Sequence, residues 1–208
     1  MYHTPALVLG TEEWGEADRR ITVFSPDFGK IRLRAQGSRK HGAKLQGHLE
    51  PGGTSEISFV IGRNGYRLTT ARLVSFPAAS RASFPKLRAV AGVLAAIEAN
   101  VLEERERASE LFAVATSAIA GIEAVERPAA VRRILVWFHV RFLAFLGLLP
   151  SPRSPEAAEI KLLLALAAAG PDLDGPVGSV DAFERELAWL LRRLGDAVRA
   201  IGPVAGNA

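Results

Sequence analysis

Positive side chains recur at strand spacing near the start of the chain. Lys30, Arg32 and Arg34 alternate with three apolar residues. Because side chains alternate across a strand, an extended segment would place the three cations on one face, roughly 6.5 to 7 Å apart. Single-stranded nucleic acid repeats its phosphates at a comparable distance. The pattern therefore indicates phosphate binding, with a solvated strand face as the alternative.

Further cations follow in a glycine-rich segment, where a mobile backbone can wrap a polyanion. They are Arg39, Lys40 and Lys44. Residues 19–44 hold eight basic residues and one acid, Asp27. Aromatic rings could add base stacking. The candidates on or beside the strands are Phe24, Phe28, Phe59 and Tyr66.

The positive charge of the whole chain belongs to its first part. Residues 1–80 contain eleven Lys and Arg against seven Asp and Glu, whereas residues 81–208 contain fifteen of each. Such asymmetry is typical of a polyanion-binding module joined to a neutral partner domain.

The chain offers no candidate for catalysis. It has no cysteine, which excludes disulfides, thiol chemistry and Cys-ligated zinc. Its four histidines lack metal-ligand spacing, and its glycine-rich segment lacks the Gly-Lys-Ser/Thr ending of a P-loop. We expect a binding protein without catalytic residues, metal, cofactor or small-molecule substrate.

The sequence predicts a cytoplasmic protein. The N-terminus has neither a basic leader nor a long apolar run, so we expect no secretory signal. The most apolar segment, residues 134–149, carries His139 and Arg141 and is shorter than the about 20 apolar residues that span a bilayer. We therefore expect no membrane association.

Five short strands are predicted in the first eighty residues, at 6–9, 20–25, 30–35, 55–61 and 66–76. Turn residues at 26–29 and the Asn64-Gly65 pair predict hairpins between strands two and three and between strands four and five. The long connection at 37–53 favours an OB-fold barrel. An SH3-like barrel fits the strand count nearly as well.

Helical periodicity begins after Pro77. Five helices are predicted, and the third, from Pro128, is apolar nearly all round and should be buried. Arg141 lies within it, where pairing with a carboxylate is one interpretation and binding of a partner's acidic tail is the other. The fold class is thus α+β, with an OB-fold domain at residues 1–80 and an all-α domain at residues 81–208.

Ordered motifs in both parts of the chain are similar to those of a known family. The first group is Gly15, Asp18-Arg19, Phe24-Ser25, Gly29-Lys30, Ala35-Gln36-Gly37-Ser38-Arg39-Lys40, Leu45, Gly47, His48, Leu49, Glu50 and Pro51. The second is Arg141-Phe142-Leu143, Leu146-Gly147-Leu148 and Pro150. In their spacing, the chain resembles the RecO family of bacterial recombination mediators.

The resemblance implies binding of single- and double-stranded DNA, annealing of complementary strands, and no enzymatic turnover. It also implies association with RecR and with the acidic C-terminal tail of the single-stranded DNA-binding protein, so that recombinase is loaded onto coated DNA, in the cytoplasm at the nucleoid. The matching basic positions are Arg19, Lys30, Arg39 and Lys40. The strand and loop pattern adds Arg20, Arg32, Arg34 and Lys44. Arg132 and Arg133 are candidates for the acidic tail, with solvation as the alternative.

Two departures from the family pattern affect these expectations. Many relatives carry a four-cysteine zinc module where this chain has residues 151–155, and the absence of cysteine rules zinc out. Relatives commonly end in a basic tail, whereas this sequence ends in IGPVAGNA, so the barrel is expected to make most DNA contacts. A protein-interaction scaffold and an RNA-binding barrel remain as alternatives.

Overall fold

The computed structural model describes residues 1–38, 45–63, 65–103, 108–151, 153–168, 180–195 and 198. Contacts divide the chain into two compact units. One contains Met1–Pro77 with Val101–Thr116, and the other contains Ala78–Asn100 with Ser117–Ala208. The domain boundary after residue 80 stays a prediction.

Five strands close into a barrel in the first unit. They are β1 (Tyr2–Trp14), β2 (Asp18–Ser25), β3 (Gly29–Ala35), β4 (Thr54–Gly62) and β5 (Gly65–Ser75). The strand order is β1-β2-β3-β5-β4, and every pairing is antiparallel except that of β3 with β5. This topology confirms the predicted OB-fold barrel rather than the SH3-like alternative.

Tight turns set the register of both predicted hairpins. Between β2 and β3, the backbone N–H of Phe28 donates to Ser25 Oγ at 3.0 Å, and Gly29 has a φ of 62°, which favours glycine. Between β4 and β5, Gly62 pairs with Gly65. Asn64, the other half of the predicted Asn-Gly signal, lies outside the described residues.

Alternation along the strands fills the barrel with apolar side chains. On β3, Ile31, Leu33 and Ala35 are buried in the core, while Arg32 and Arg34 are exposed. Ile21 and Val23 on β2 join the same core. Because a one-residue slip would turn this apolar set outward, burial fixes the register that presents the two arginines to solvent.

Helices form the rest of the described structure. They are α1 (Ala78–Arg81), α2 (Phe84–Asn100), α3 (Ser109–Ala124), α4 (Pro128–Phe145), α5 (Lys161–Ala168) and α6 (Val180–Leu194), with 3₁₀ turns at Gln46–His48 and Pro155–Ala158. The fourth predicted helix is thus a 3₁₀ turn followed by α5. The short α1 is not among the predicted helices, and the predicted Pro and Gly loop at 170–178 lies outside the described residues.

Helix α4 is the most buried helix of the second unit, as its apolar circumference predicts. It begins with Pro128, whose missing N–H costs nothing at a helix start, and nine of its residues are buried. It packs against α2, α5 and α6. Among the described residues, no helix is long and apolar enough to cross a membrane.

Candidate nucleic-acid interface

Arginines from three neighbouring strands form a row on the outside of the barrel. Arg20 on β2 pairs in register with Arg34 on β3, which pairs with Arg67 on β5. Since adjacent strands lie about 4.8 Å apart, the three stems begin at roughly that spacing across the sheet. Arg32 stands two residues from Arg34 on the same face of β3. This arrangement concentrates four positive charges on one patch.

The patch borders a concave surface, which we call the arginine groove, of about 370 Å³. The residues that line it are Trp14, Arg20, Arg32, Leu33, Arg34, Gly65, Tyr66 and Glu103. Three cations and one carboxylate therefore face the groove beside two aromatic rings. Concave basic surfaces concentrate anionic ligands because low-dielectric walls focus the field.

Each groove arginine is held in place by a neighbour. Arg34 Nε donates to Asp18 Oδ2 at 2.7 Å, while Asp18 Oδ1 accepts the backbone N–H of Gly37 at 2.8 Å. Arg32 Nε lies 2.9 Å from Glu103 Oε1. The guanidinium carbon of Arg20 lies 3.5 Å from the ring centroid of Trp14, in cation–π contact. The guanidinium groups are thus oriented before any ligand arrives.

Lys30 departs from the expected row of three exposed cations. It shares a face of β3 with Arg32 and Arg34, but its side chain is only 6% exposed. A single parallel bridge pairs it with Glu103, from a segment that follows α2 in sequence. The expectation of an exposed Lys30 is therefore wrong, and its contact with DNA stays a prediction.

Arg19 is not part of the arginine groove. It lies on the same side of β2 as Ile21 and Val23, whereas Arg20 faces outward, and its own side chain is half-buried. Its role in DNA contact stays a prediction. The predicted contacts of Arg39, Lys40 and Lys44 lie outside the described residues.

The aromatic candidates are mostly part of the core. Phe24 and Phe59 are fully buried, so the prediction that bases could stack on them is wrong. Phe28 packs against the barrel core. Tyr66 is half-buried and lines the groove. Trp14, which is 45% exposed, was missed. It is the last residue of β1, and the strand predicted at 6–9 ended too early to include it.

Arg67 is the second residue that the sequence reasoning missed. It is exposed on β5, beside Arg34. The sequence contains a pattern that could have predicted this position, because Arg67 comes two residues after Gly65 of the Asn-Gly pair, in a strand whose residues alternate. Only the parallel pairing of β3 with β5, which an OB-fold requires, brings it to the cations of β3.

Arg132, a candidate for an acidic tail, is already paired within the helical unit. Its Nε donates to Glu184 Oε1 at 2.8 Å, and its Nη2 contacts both Glu184 and Asp181 of α6. Hydrogen bonds to these two carboxylates raise the pKa of the guanidinium above its ordinary value. Arg132 is thus paired with two carboxylates of its own chain, and its contact with an acidic tail stays a prediction.

The other two candidates differ in position. Arg141 Nη1 donates to the carbonyl oxygen of Ala167 at 3.0 Å, which joins α4 to the end of α5. Arg133 is half-buried and borders a cavity of about 420 Å³. The cavity is lined by Val125, Glu126, Arg127, Ala129, Ala130, Arg133 and Val180. Arg132 borders a different cavity, of about 250 Å³, together with Arg88 and Pro128.

One histidine is buried without a hydrogen-bond partner. His139 of α4 is 2% exposed, and neither ring nitrogen has a partner among the described residues. Burial lowers its pKa to about 4, because desolvation penalises the charged form. His139 therefore packs as a neutral ring. In the described part of the chain, no three His, Asp or Glu side chains are grouped as metal ligands.

Comparison with known proteins gives matches in both units. Residues 1–77 match the family described as recombination protein O N terminal. The chain is 32% identical over 148 residues to DNA repair protein RecO of Frankia casuarinae, covering 71% of this chain and 60% of that protein. Proteins of the same name from Nocardioides sp. and Myxococcus xanthus are 29% and 31% identical over 73% and 72% of this chain.

These alignments cover about three-fifths of each relative: 60% of the Frankia protein, 62% of the Nocardioides protein and 60% of the Myxococcus protein. They extend past the barrel into the helical unit, since each covers at least 71% of this chain. The barrel topology and these matches agree with the motif spacing noted in the sequence. Residues 1–77 therefore belong to the RecO N-terminal family, and over at least 71% of its length the chain is similar to proteins named DNA repair protein RecO.

Proposed function

We propose that this chain is a non-enzymatic DNA repair and recombination protein that binds DNA on the outer face of its barrel. The arrangement of Arg20, Arg32 and Arg34 around one groove, with Arg67 paired beside Arg34, is the observation that carries the proposal. The name shared by its relatives, DNA repair protein RecO, supports the same function.

The physical basis of binding is release of counterions. A strand of DNA holds condensed cations along its phosphates, and each guanidinium that pairs with a phosphate frees them. Arginine suits this role because its planar fork can donate two hydrogen bonds to one phosphate. The contact of Arg32 with Glu103 is an ion pair between partly exposed side chains, which is worth little and can be exchanged for phosphate. In the contact of Arg34 with Asp18, the arginine is half exposed and the carboxylate is largely buried.

The finer steps of the proposal rest on the similarity to the RecO family. The protein binds single- and double-stranded DNA, anneals complementary strands, and acts in the cytoplasm with RecR to load recombinase onto DNA coated by the single-stranded DNA-binding protein. For that protein's acidic tail, the cavity beside Arg133 and Arg127 is the candidate contact. Its cations and its apolar Val and Ala lining suit a tail with acidic and apolar residues.

The first experiment compares two charge reversals of equal size. Arg32→Glu with Arg67→Glu alters the outer face of the barrel, whereas Arg185→Glu with Arg192→Glu alters two exposed positions on α6. Fluorescence anisotropy with single-stranded DNA at low salt should show a loss of about 10- to 100-fold for the barrel variant, and little change for the α6 variant. Circular dichroism checks that both are folded.

Equal affinity of the barrel variant and the unmodified protein would contradict the proposal. Absence of DNA binding in the unmodified protein would favour an interaction scaffold instead. Competition with RNA of matched sequence separates the remaining alternative, because an RNA-binding barrel would prefer the RNA strand.

The cations Arg39 and Lys40 require their own test. We expect Arg39→Glu with Lys40→Glu to weaken single-strand binding at low salt without loss of fold, because both residues continue the basic segment after β3. An unchanged affinity would remove these two residues from the proposed contact surface.

A further inference from the structure

A second concave surface adjoins the arginine groove. We call it the turn pocket, because it lies at the turn between β1 and β2, and its volume is about 370 Å³. It is lined by Trp14, Gly15, Glu16, Ala17, Asp18, Arg34, Gln36 and Gly37. Trp14 and Arg34 line both surfaces. A ligand that passes from one to the other must therefore contact these two side chains.

The two surfaces differ in charge. The arginine groove has three cations and one carboxylate, whereas the turn pocket has one cation, Arg34, and two carboxylates, Glu16 and Asp18. Both oxygens of Asp18 already accept hydrogen bonds, from Arg34 and from Gly37. Phosphate is attracted to the groove and repelled by the pocket, so the pocket favours the uncharged part of a nucleotide.

Trp14 has a ring surface available on the pocket side. The guanidinium of Arg20 covers one face of the indole, with its carbon 3.5 Å from the ring centroid. Of the described residues, Arg20 lines the groove but not the pocket. Since Trp14 is still 45% exposed, its accessible area lies away from Arg20. An exposed indole is a platform on which a base can stack.

Local structure fixes the position of this ring. Trp14 forms the last register pair of the β1–β2 hairpin, with Asp18. The turn between them contains Gly15 at a φ of 64°, a conformation that other residues rarely adopt. Cation–π contact with Arg20 restrains the indole further. A restrained platform loses little entropy when a base stacks on it.

We propose that Trp14 stacks an unpaired nucleobase in the turn pocket while the adjoining phosphates bind Arg20, Arg32 and Arg34. This inference rests on the proposed function and identifies the form of DNA that the face prefers. In a duplex the bases are paired and stacked on one another, so none reaches Trp14 without unpairing. The contact therefore selects single-stranded over double-stranded DNA.

The test separates stacking from phosphate binding. Two probes are used, a short oligothymidylate and an abasic oligomer with the same number of phosphates. The unmodified protein should bind the oligothymidylate about 5- to 150-fold more tightly, which is the worth of one stacked base. Trp14→Ala should lose this preference, and its affinity for the abasic oligomer should fall less than its affinity for the oligothymidylate, because that oligomer loses only the orientation of Arg20. Trp14→Phe should keep most of the preference, because a smaller ring still stacks.

Three results would overturn the inference, and they can be told apart. If the unmodified protein binds both oligomers equally, the proposal that a base stacks on Trp14 is wrong, but the proposal that the barrel binds phosphates is not affected. If Trp14→Ala weakens the binding of both oligomers by the same factor, Trp14 only holds Arg20 in position. If neither oligomer binds at low salt, the proposed function itself fails. Duplex DNA serves as a further probe, and Trp14→Ala should lower its affinity no more than that of the abasic oligomer.

Discussion

The salt dependence of DNA binding gives a quantitative test of the arginine groove. For single strands, the slope of log affinity against log salt is about −0.7 for each phosphate neutralised. Arg20, Arg32, Arg34 and Arg67 together should contribute about −2.8. Arg32→Gln with Arg34→Gln should make the slope less steep by about 1.4, since two contacts are lost. Glutamine keeps a donor that can reach Asp18.

The assay is a titration of oligothymidylate binding, by fluorescence anisotropy, from about 50 to about 200 mM salt. Over this range, the two removed contacts account for about a sevenfold loss of affinity in the unmodified protein. Other cations contribute equally to both proteins and cancel in the difference. Arg185→Gln with Arg192→Gln on α6 is the matched control and should leave the slope unchanged. An identical slope for the groove variant would refute the assignment of these phosphate contacts.

Three further predictions concern charge and burial. Glu103→Gln should raise single-strand affinity about 2- to 5-fold at low salt by releasing Arg32, and an anisotropy titration showing no gain would mean that Glu103 does not compete with phosphate. The pKa of His139 is about 4 in the folded protein against an ordinary value of 6.5. The neutral ring therefore makes its full contribution to the free energy of unfolding above pH 6.5, and about 3 kcal/mol of that free energy is lost as the pH drops toward 4. Urea unfolding should show that His139→Phe removes this loss, and an unchanged pH dependence would contradict it. Arg132→Ala should lower the free energy of unfolding by about 1 kcal/mol in the same assay, since it breaks the partly exposed contacts of α4 with α6, and no change would show that these contacts are not stabilising.

Local patterns predicted the barrel and part of its basic face. Alternation along β3 predicted that Arg32 and Arg34 face away from the core, and turn residues predicted both hairpins. These features depend on neighbours in sequence, which is why a single sequence reveals them.

The remaining features of the site depend on contacts between distant segments. Lys30 has the same spacing as Arg32, but it is buried and forms a bridge with Glu103, a distant contact that no local pattern encodes. Arg67 joins the row only through the parallel pairing of β3 and β5. Arg132 of α4 is paired with a carboxylate of α6 because these two helices pack against each other. Pairings of this kind are decided by tertiary packing, not by the residue types themselves.

The position of a bound strand on the protein tests the central claim most directly. Photo-crosslinking of an oligothymidylate that carries a photoreactive base, followed by mass spectrometry, identifies the peptides in contact with DNA. We expect crosslinks concentrated in residues 14–37, which contain Trp14, the β1–β2 turn and the arginines of β2 and β3. Crosslinks confined to the helical residues 117–195 would contradict binding by the barrel.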